Sequence, residues 1–241
     1  VTGAAVLALE GVQAAYGPFK ALFDVSFRVP QGSVVALLGA NGAGKTTVAR
    51  VCTGLVRPSS GRVEIAGVDV ARLPTWRIAR LGVMHAPEGR SVFATLTVEE
   101  NLELAFGREV GRRGVPEVLA RAYELFPRLG ERRRQMAGTL SGGEQRMLSL
   151  ARVLVRPPRL LIADELSLGL APIVVEEVYR VLARIRDTGT SIVVVEQHVG
   201  HALALADEVV VLNKGRVALA GPVAELGDVS EWLLPAAHRP D

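Results

Sequence analysis

The segment Gly39-Ala40-Asn41-Gly42-Ala43-Gly44-Lys45-Thr46 constrains this 241-residue chain more than any other. It fits G-x-x-x-x-G-K-[ST], follows the unbroken apolar run Val34-Val35-Ala36-Leu37-Leu38, and opens a helical stretch. A strand, a glycine loop and a helix in that order turn successive backbone amides inward at a helix N-terminus, where phosphate oxygens are stabilised. On this reading Gly39, Asn41, Gly42, Ala43, Gly44 and Thr47 belong to a nucleotide cradle, Lys45 reaches the β- and γ-phosphates, and the Thr46 hydroxyl ligates Mg²⁺. A glycine-rich turn without a ligand is the competing reading, and the placement between a buried strand and a helix disfavours it.

The apolar run at 34–38 has the texture of a strand covered on both faces, as in a parallel sheet. The same texture returns at Leu160-Leu161-Ile162-Ala163 and at Ser191-Ile192-Val193-Val194-Val195, with helical stretches before and between them. Three such strands with helical crossovers predict a doubly wound α/β core. Near the N-terminus Val25, Phe27 and Val29 alternate with Ser26 and Arg28, the pattern of a half-buried antiparallel strand. Residues 97–156 change to helical spacing and predict an inserted helical lobe. Near the C-terminus, residues 208–212 and 216–220 flank Asn213-Lys214-Gly215 and predict a hairpin. The expected organisation is one domain over residues 1–241.

Hydrophobic residues make up 49% and charged residues 22%, too apolar a balance for disorder. No apolar stretch approaches the roughly 20 residues that a membrane-spanning helix needs, so the chain is not expected to be a permease by itself. The first residues, Val1-Thr2-Gly3-Ala4, lack a basic region ahead of an apolar core, and no secretory leader is expected. The single cysteine, Cys52, excludes an internal disulfide framework and reads as a small core residue. The net charge of +3 comes from scattered basic residues with no aromatic platform among them, so no nucleic acid partner is expected. The densest basic run, Arg132-Arg133-Arg134, reads as a solvated helix end or loop. His85, His201 and His238 have no metal-ligand spacing and read as structural or exposed.

The second buried run ends in Asp164-Glu165, two carboxylates at the C-terminal edge of the sheet, where α/β proteins place ligands. Asp164 is the candidate to hold Mg²⁺, directly or through water, and Glu165 to orient or deprotonate an attacking water. Leu140-Ser141-Gly142-Gly143-Glu144-Gln145 reads as a helix start in which Ser141 caps and Glu144 completes a capping box. Two glycines in that first turn weaken a helix. Close approach of backbone to a phosphate is the natural compensation.

A phosphate loop, then L-S-G-G-E-Q, then an apolar run ending in Asp-Glu, resembles the ATP-binding cassette (ABC) family over nearly the whole chain. The resemblance implies a P-loop ATPase core with an N-terminal antiparallel β subdomain and an inserted helical subdomain, binding ATP and Mg²⁺. It implies that Ser141, Gly142 and Gly143 complete the ATP site of a second subunit, that Tyr16, just before the N-terminal strand, stacks on adenine, and that 167–170 communicates across the dimer. Pro87-Glu88-Gly89-Arg90, Phe93, 96–102 and Val195-Glu196-Gln197 further resemble the ATPase subunits of branched-chain amino acid importers. By that likeness Glu88 stands at the position of a metal-contacting glutamine and Gln197 at that of a histidine on the γ-phosphate. Gln197 can donate a hydrogen bond but cannot carry a proton. His198, the next residue, points to the opposite side unless the strand has already ended. Leu166 follows Glu165 where the family usually has proline.

The implied catalytic set is therefore Glu165, Gln197 and Lys45, and the implied metal set Thr46, Glu88 and Asp164. The implied partners are transmembrane permease subunits, a second ABC ATPase in a mixed dimer with a homodimer as alternative, and a periplasmic or extracellular solute-binding protein indirectly. The implied place is the cytoplasmic face of the cell membrane. A soluble cassette acting on nucleic acid or ribosomes is the competing class; such proteins usually carry a coiled-coil insertion or two fused cassettes, and neither is present.

Overall fold

The computed structural model describes residues 4–89, 91–155, 157–197, 199–227, 229 and 232. The leader reading at residues 1–3, and Arg90, His198 and His238, lie outside the described residues. The chain begins with β1 (Ala5–Tyr16), β2 (Phe19–Pro30), β3 (Val34–Leu38), α1 (Lys45–Cys52), β4 (Ser60–Ile65), β5 (Val68–Asp69), α2 (Thr75–Arg80) and β6 (Val83–Ala86). It continues with α3 (Val98–Leu125), α4 (Pro127–Glu131), α5 (Gly142–Val155), β7 (Leu160–Asp164) and α6 (Pro172–Asp187), and closes with β8 (Ser191–Glu196), α7 (Val199–Leu205), β9 (Glu208–Asn213) and β10 (Arg216–Pro222). Two compact units result: residues 1–85, 158–165 and 186–241 form the first, and residues 86–157 and 166–185 the second.

The first unit holds two sheets. One is antiparallel, in the order β2-β1-β4-β5; the other is mixed, in the order β10-β9-β3-β8-β7-β6. Within the mixed sheet β3 pairs in parallel with both β8 and β9, and β8 with β7, while β10 returns antiparallel to β9. Every residue of β3, β7 and β8 is buried, which is what an uninterrupted apolar run dictates in a sheet covered on both faces. β2 instead alternates between buried and exposed positions over Val25–Val29, as its period-2 pattern requires. One core joins the two sheets: Leu7, Leu9 and Val12 of β1 share it with Val35 and Leu37 of β3, Val48 of α1 and Ile162 of β7. Cys52 belongs to this core, and burial pushes its thiol up to about 12, so it is inert. Tyr16 stands just before β2, the alternating strand expected from the sequence, and itself ends β1, a strand of 12 residues whose mixed pattern hides its length.

The β9–β10 hairpin braces the phosphate loop from behind. Its turn residues Lys214 and Gly215 both have positive φ, 46° and 75°, the backbone of a type I′ hairpin turn. The Gly215 N–H donates to Ala43 O at 2.8 Å, and Gly215 O accepts from Phe23 N at 2.8 Å, tying loop, hairpin and β2 together. A side chain at 215 would meet the Ala21 carbonyl oxygen at 2.3 Å.

In the second unit α3 packs on α4 and α5. Gly111 (φ 66°, ψ 167°) breaks α3 internally, so the element is two helical segments in sequence. Both α3 and α5 start with a complete capping box. Thr97 Oγ1 accepts from Glu100 N at 3.2 Å while Glu100 Oε2 accepts from Thr97 N at 2.7 Å. Ser141 Oγ accepts from Glu144 N at 3.3 Å while Glu144 Oε2 accepts from Ser141 N at 2.9 Å and from its hydroxyl at 2.8 Å. The basic run at 132–134 is exposed, and Arg132 Nε meets Glu144 Oε1 at 2.9 Å.

Gly215→Ala should lower stability by roughly 2–3 kcal/mol, from the positive φ and the carbonyl contact together. Gly189→Ala, also at positive φ (87°) but with open space around it, should cost only about 1 kcal/mol; urea unfolding of the two variants separates strain from clash. Acid should act on the helix starts. The Thr97 N–H and then the Thr97 hydroxyl hold the Glu100 carboxyl below its ordinary value of 4.5. At Glu144 burial pushes upward, but the Ser141 N–H and hydroxyl with Arg132 outweigh it, and that carboxyl is also lowered. Depressed carboxylates stabilise fully above the unfolded value and lose that contribution as pH falls through the folded one. The first turns of α3 and α5 should therefore loosen below about pH 4.5, seen as pH-dependent amide shifts at Thr97 and Ser141, and Glu100→Gln or Glu144→Gln should abolish the step at its own helix.

Candidate functional site

The mixed sheet sets the site. β3 ends at Leu38, and residues 39–44 turn back across its C-terminal edge before α1 begins. Gly39 is where this turn leaves no room: a Cβ there would meet Leu212 O at 2.6 Å and Ala43 Cβ at 3.0 Å. Gly44, the residue before α1, has φ 107° and ψ 2°, and a side chain on it would run into Leu22 Cδ2 at 2.9 Å. Gly42 also has positive φ (78°), but nothing stands within 4 Å of its Cβ position, so backbone rather than packing demands glycine there. Asn41 and Gly42 are exposed at the loop tip; Ala43, Lys45 and Thr47 are buried, with Thr46 between these extremes.

Lys45 is the electrostatic centre of the loop. Its side chain is 3% exposed, and Nζ donates to Gly39 O at 2.9 Å and to Ala40 O at 3.3 Å. Nζ also stands 3.3 Å from Glu165 Oε1. Lysine and glutamate far apart in sequence thus meet at the sheet edge, because β3 and β7 are both neighbours of β8 in a parallel sheet. Glu165 is held in an unusual conformation: its φ is 46°, and its N–H donates to Val195 O at 2.9 Å. A non-glycine residue in the left-handed region costs free energy and concentrates at functional positions. Leu166 is compatible with this backbone, whereas a proline at 166 would drive residue 165 toward extended φ. Leu166 is itself buried.

Asp164 ends β7 with 1% exposure. Its Oδ1 is buried and has no hydrogen-bond partner in the protein. A buried carboxylate oxygen left bare costs free energy, so the residue suits a cation or a cation-bound water at that oxygen. Among the described residues no three His, Cys, Asp or Glu side chains cluster as a metal cage. Mg²⁺ needs no such cage, because it takes one or two protein oxygens and completes its shell with water and substrate phosphates. Thr46 and Asp164 fit that sparse donor set.

Tyr16 is 41% exposed, and its hydroxyl accepts from Arg50 of α1 at 3.4 Å. Gln197 is exposed in a bend directly after β8, which ends at Glu196. The strand has therefore stopped before Gln197.

The remaining candidates lie in the second unit. Gly142 and Gly143 open α5, and their glycines answer to different causes. A Cβ on Gly143 would meet Val174 Cγ1 of α6 at 2.6 Å, so packing alone requires glycine. A Cβ on Gly142 would meet only Leu170 Cδ2, at 3.8 Å, so packing does not require glycine there. Gln145 is buried and donates to Ala137 O at 2.7 Å, fixing the helix start against the preceding turn. Glu88 is exposed, and its segment is strapped to α5: Arg146 donates to Pro87 O at 3.2 Å and Arg152 to Ser91 O at 2.8 Å.

Two site residues escape a reading of the sequence. Gly215 braces the phosphate loop through Ala43, and its only local signal is a glycine in a hairpin turn. His85 of β6 places Nε2 3.8 Å from Asp164 Oδ2, and its only signal is an imidazole in an otherwise apolar strand.

Residues 22–167 match the family model described as ABC transporter. The chain is 42% identical over 214 residues to the high-affinity branched-chain amino acid transport ATP-binding protein BraG of Pseudomonas aeruginosa, covering 89% of this chain and 91% of that one. It is 37% identical over 216 residues to the probable branched-chain amino acid transport ATP-binding protein LivF of Archaeoglobus fulgidus, again covering 89% and 91%. Among solved structures it resembles cbiO1 from Clostridium perfringens, part of the ABC transporter complex cbiONQ, with a TM-score of 0.80, 25% identity and coverage of 92% and 90%. With a family match over most of its length and relatives well above 30% identity across nearly all of both chains, this chain belongs to the ABC transporter family, as an ATP-hydrolysing cassette.

Proposed function

We propose that the chain energises uptake of a small solute, branched-chain amino acids, as one ATPase of a mixed pair docked on transmembrane permease subunits at the cytoplasmic face of the membrane. The observation that carries the catalytic part is the meeting of Lys45 and Glu165 at the sheet edge, beside an Asp164 oxygen that no protein group satisfies. The solute is inherited from BraG and LivF, whose names state it.

The loop amides around residues 39–44 cradle the α- and β-phosphates of ATP, aided by the N-terminus of α1. Lys45 turns its ammonium from the loop carbonyls toward the β- and γ-phosphates, which also frees the Glu165 carboxylate from it. Glu165 then orients a water for in-line attack and accepts its proton. Thr46 and Asp164 would hold Mg²⁺, which when bound would supply charge neutralisation at the phosphate oxygens; Glu88 is assigned to the metal by the family resemblance alone. Gln197 donates a hydrogen bond to the γ-phosphate and takes no proton. Tyr16 stacks on adenine, a contact worth roughly 1 kcal/mol.

Ser141, Gly142 and Gly143 serve the ATP held by the second cassette. The open surroundings of Gly142 and the capped, amide-presenting start of α5 support that reading. A single chain is then an incomplete enzyme, and closing the pair on ATP is the step that the permease feels. A periplasmic or extracellular solute-binding protein takes part indirectly, and no nucleic acid does. Among the described residues no helix is long and apolar enough to cross a membrane, which leaves the path for the solute to other subunits.

Glu165→Gln should lower ATP turnover by at least about 100-fold while ATP still binds, measured by phosphate release and by nucleotide affinity on the same protein. Equal turnover in both would remove Glu165 from catalysis. Solubilising native membranes in mild detergent and identifying co-purifying chains by mass spectrometry should yield two polytopic permeases and a second cassette ATPase. Recovery only with ribosomes, with nucleic acid or alone would remove transport, and stable ATP-dependent homodimers of Glu165→Gln at low concentration would count against the mixed pair.

A further inference from the structure

β6 is a four-residue strand, Val83-Met84-His85-Ala86, in which one residue is out of keeping with its apolar neighbours. It runs at the sheet edge beside β7, where Gly82 O accepts from Arg159 N at 2.9 Å and from Leu160 N at 3.1 Å. This pairing brings His85 level with the end of β7. The His85 side chain is 14% exposed and the Asp164 side chain 2%. His85 Nε2 is buried and has no hydrogen-bond partner, and it lies 3.8 Å from Asp164 Oδ2. The other oxygen, Oδ1, is buried with no partner either. The two oxygens of one carboxylate therefore differ: one lies near an imidazole nitrogen, and the other is buried without a hydrogen-bond partner.

Buried polar atoms without partners are uncommon and costly, and a pair of them side by side calls for a cause. The separation of 3.8 Å is longer than a hydrogen bond, and a modest turn of either side chain brings it to the roughly 2.9 Å of a made one. Carboxylates that hold metals are themselves held by hydrogen bonds from a surrounding layer of groups, which fix their rotation.

We infer that His85 is a positioning residue for Asp164: Nε2–H donates to Oδ2 and so fixes the carboxylate with Oδ1 presented to Mg²⁺ or to one of its waters. The inference rests on the proposed role of Asp164 as a metal-holding residue. His85 does not touch the ion; it acts through the carboxylate. Neither the spacing of the histidines nor the phosphate-loop motif assigns it this part.

Mn²⁺ serves as the probe, because its electron paramagnetic resonance signal distinguishes free from bound ion without any turnover. With ADP on the full chain, His85→Leu should weaken Mn²⁺ binding by about 10-fold or more, and His85→Gln, which keeps a donor, should stay within about 3-fold of wild type. Affinity for ADP in EDTA should remain within about 2-fold in all three proteins, since the phosphate cradle does not involve His85. Equal Mn²⁺ affinity in wild type and His85→Leu, or a matching loss of metal-free ADP binding, overturns the inference. Asp164→Ala separates the two layers: loss of Mn²⁺ there with no effect of His85→Leu overturns only the positioning role, and no effect of either variant overturns the metal role as well.

Discussion

A lysine ammonium with 3% of its side chain exposed is the constraint around which the first unit is arranged. A buried charge is tolerated only where surrounding groups replace its hydration. Lys45 receives two backbone carbonyls from its own loop and a carboxylate from the strand end two places away in the sheet. For those carbonyls to point at Nζ, the loop must curl back on itself, which is why Gly42 and Gly44 take positive φ. For the curl to keep its shape, something must stand behind it, and the β9–β10 turn does so through the Ala43–Gly215 hydrogen bond. Loop, hairpin and the β7 end are thus one mechanical assembly organised about a cation.

Much of this assembly is legible in the sequence, where the signal is local. Runs of apolar residues at 34–38, 160–163 and 191–195 can only be strands covered on both faces, and β3, β7 and β8 are buried throughout. Ser141 and Glu144 three residues apart announce a capping box, and both of its hydrogen bonds form. What is not legible is pairing across the sheet. Nothing near His85 in the chain points to Asp164, and nothing near Gly215 points to Ala43, because each neighbour is supplied by strand order. β1 is obscured for a different reason: its bulges and small residues interrupt the alternation by which a long strand is recognised.

The backbone at Glu165 shows how one local choice carries into chemistry. With φ at 46° the residue leaves the β7 direction abruptly, and its side chain turns back toward Lys45 instead of continuing along the strand. The N–H of Glu165, bonded to Val195 O, extends the pairing with β8 by one step and over-determines this strained geometry. Leu166 is then buried, so that the turn is anchored on its far side as well.

The two glycines at the start of α5 carry a lesson for genetics. Gly143 lies against Val174 so closely that a side chain there must displace that valine, while a Cβ on Gly142 makes only an ordinary contact with Leu170. A loss-of-function allele at Gly143 thus confounds two lesions, a displaced Val174 and a change in the surface that the proposed function gives to the second cassette's ATP. Alleles at Gly142 read out the surface alone, and a compensating change at Val174 can restore the first kind of damage but not the second.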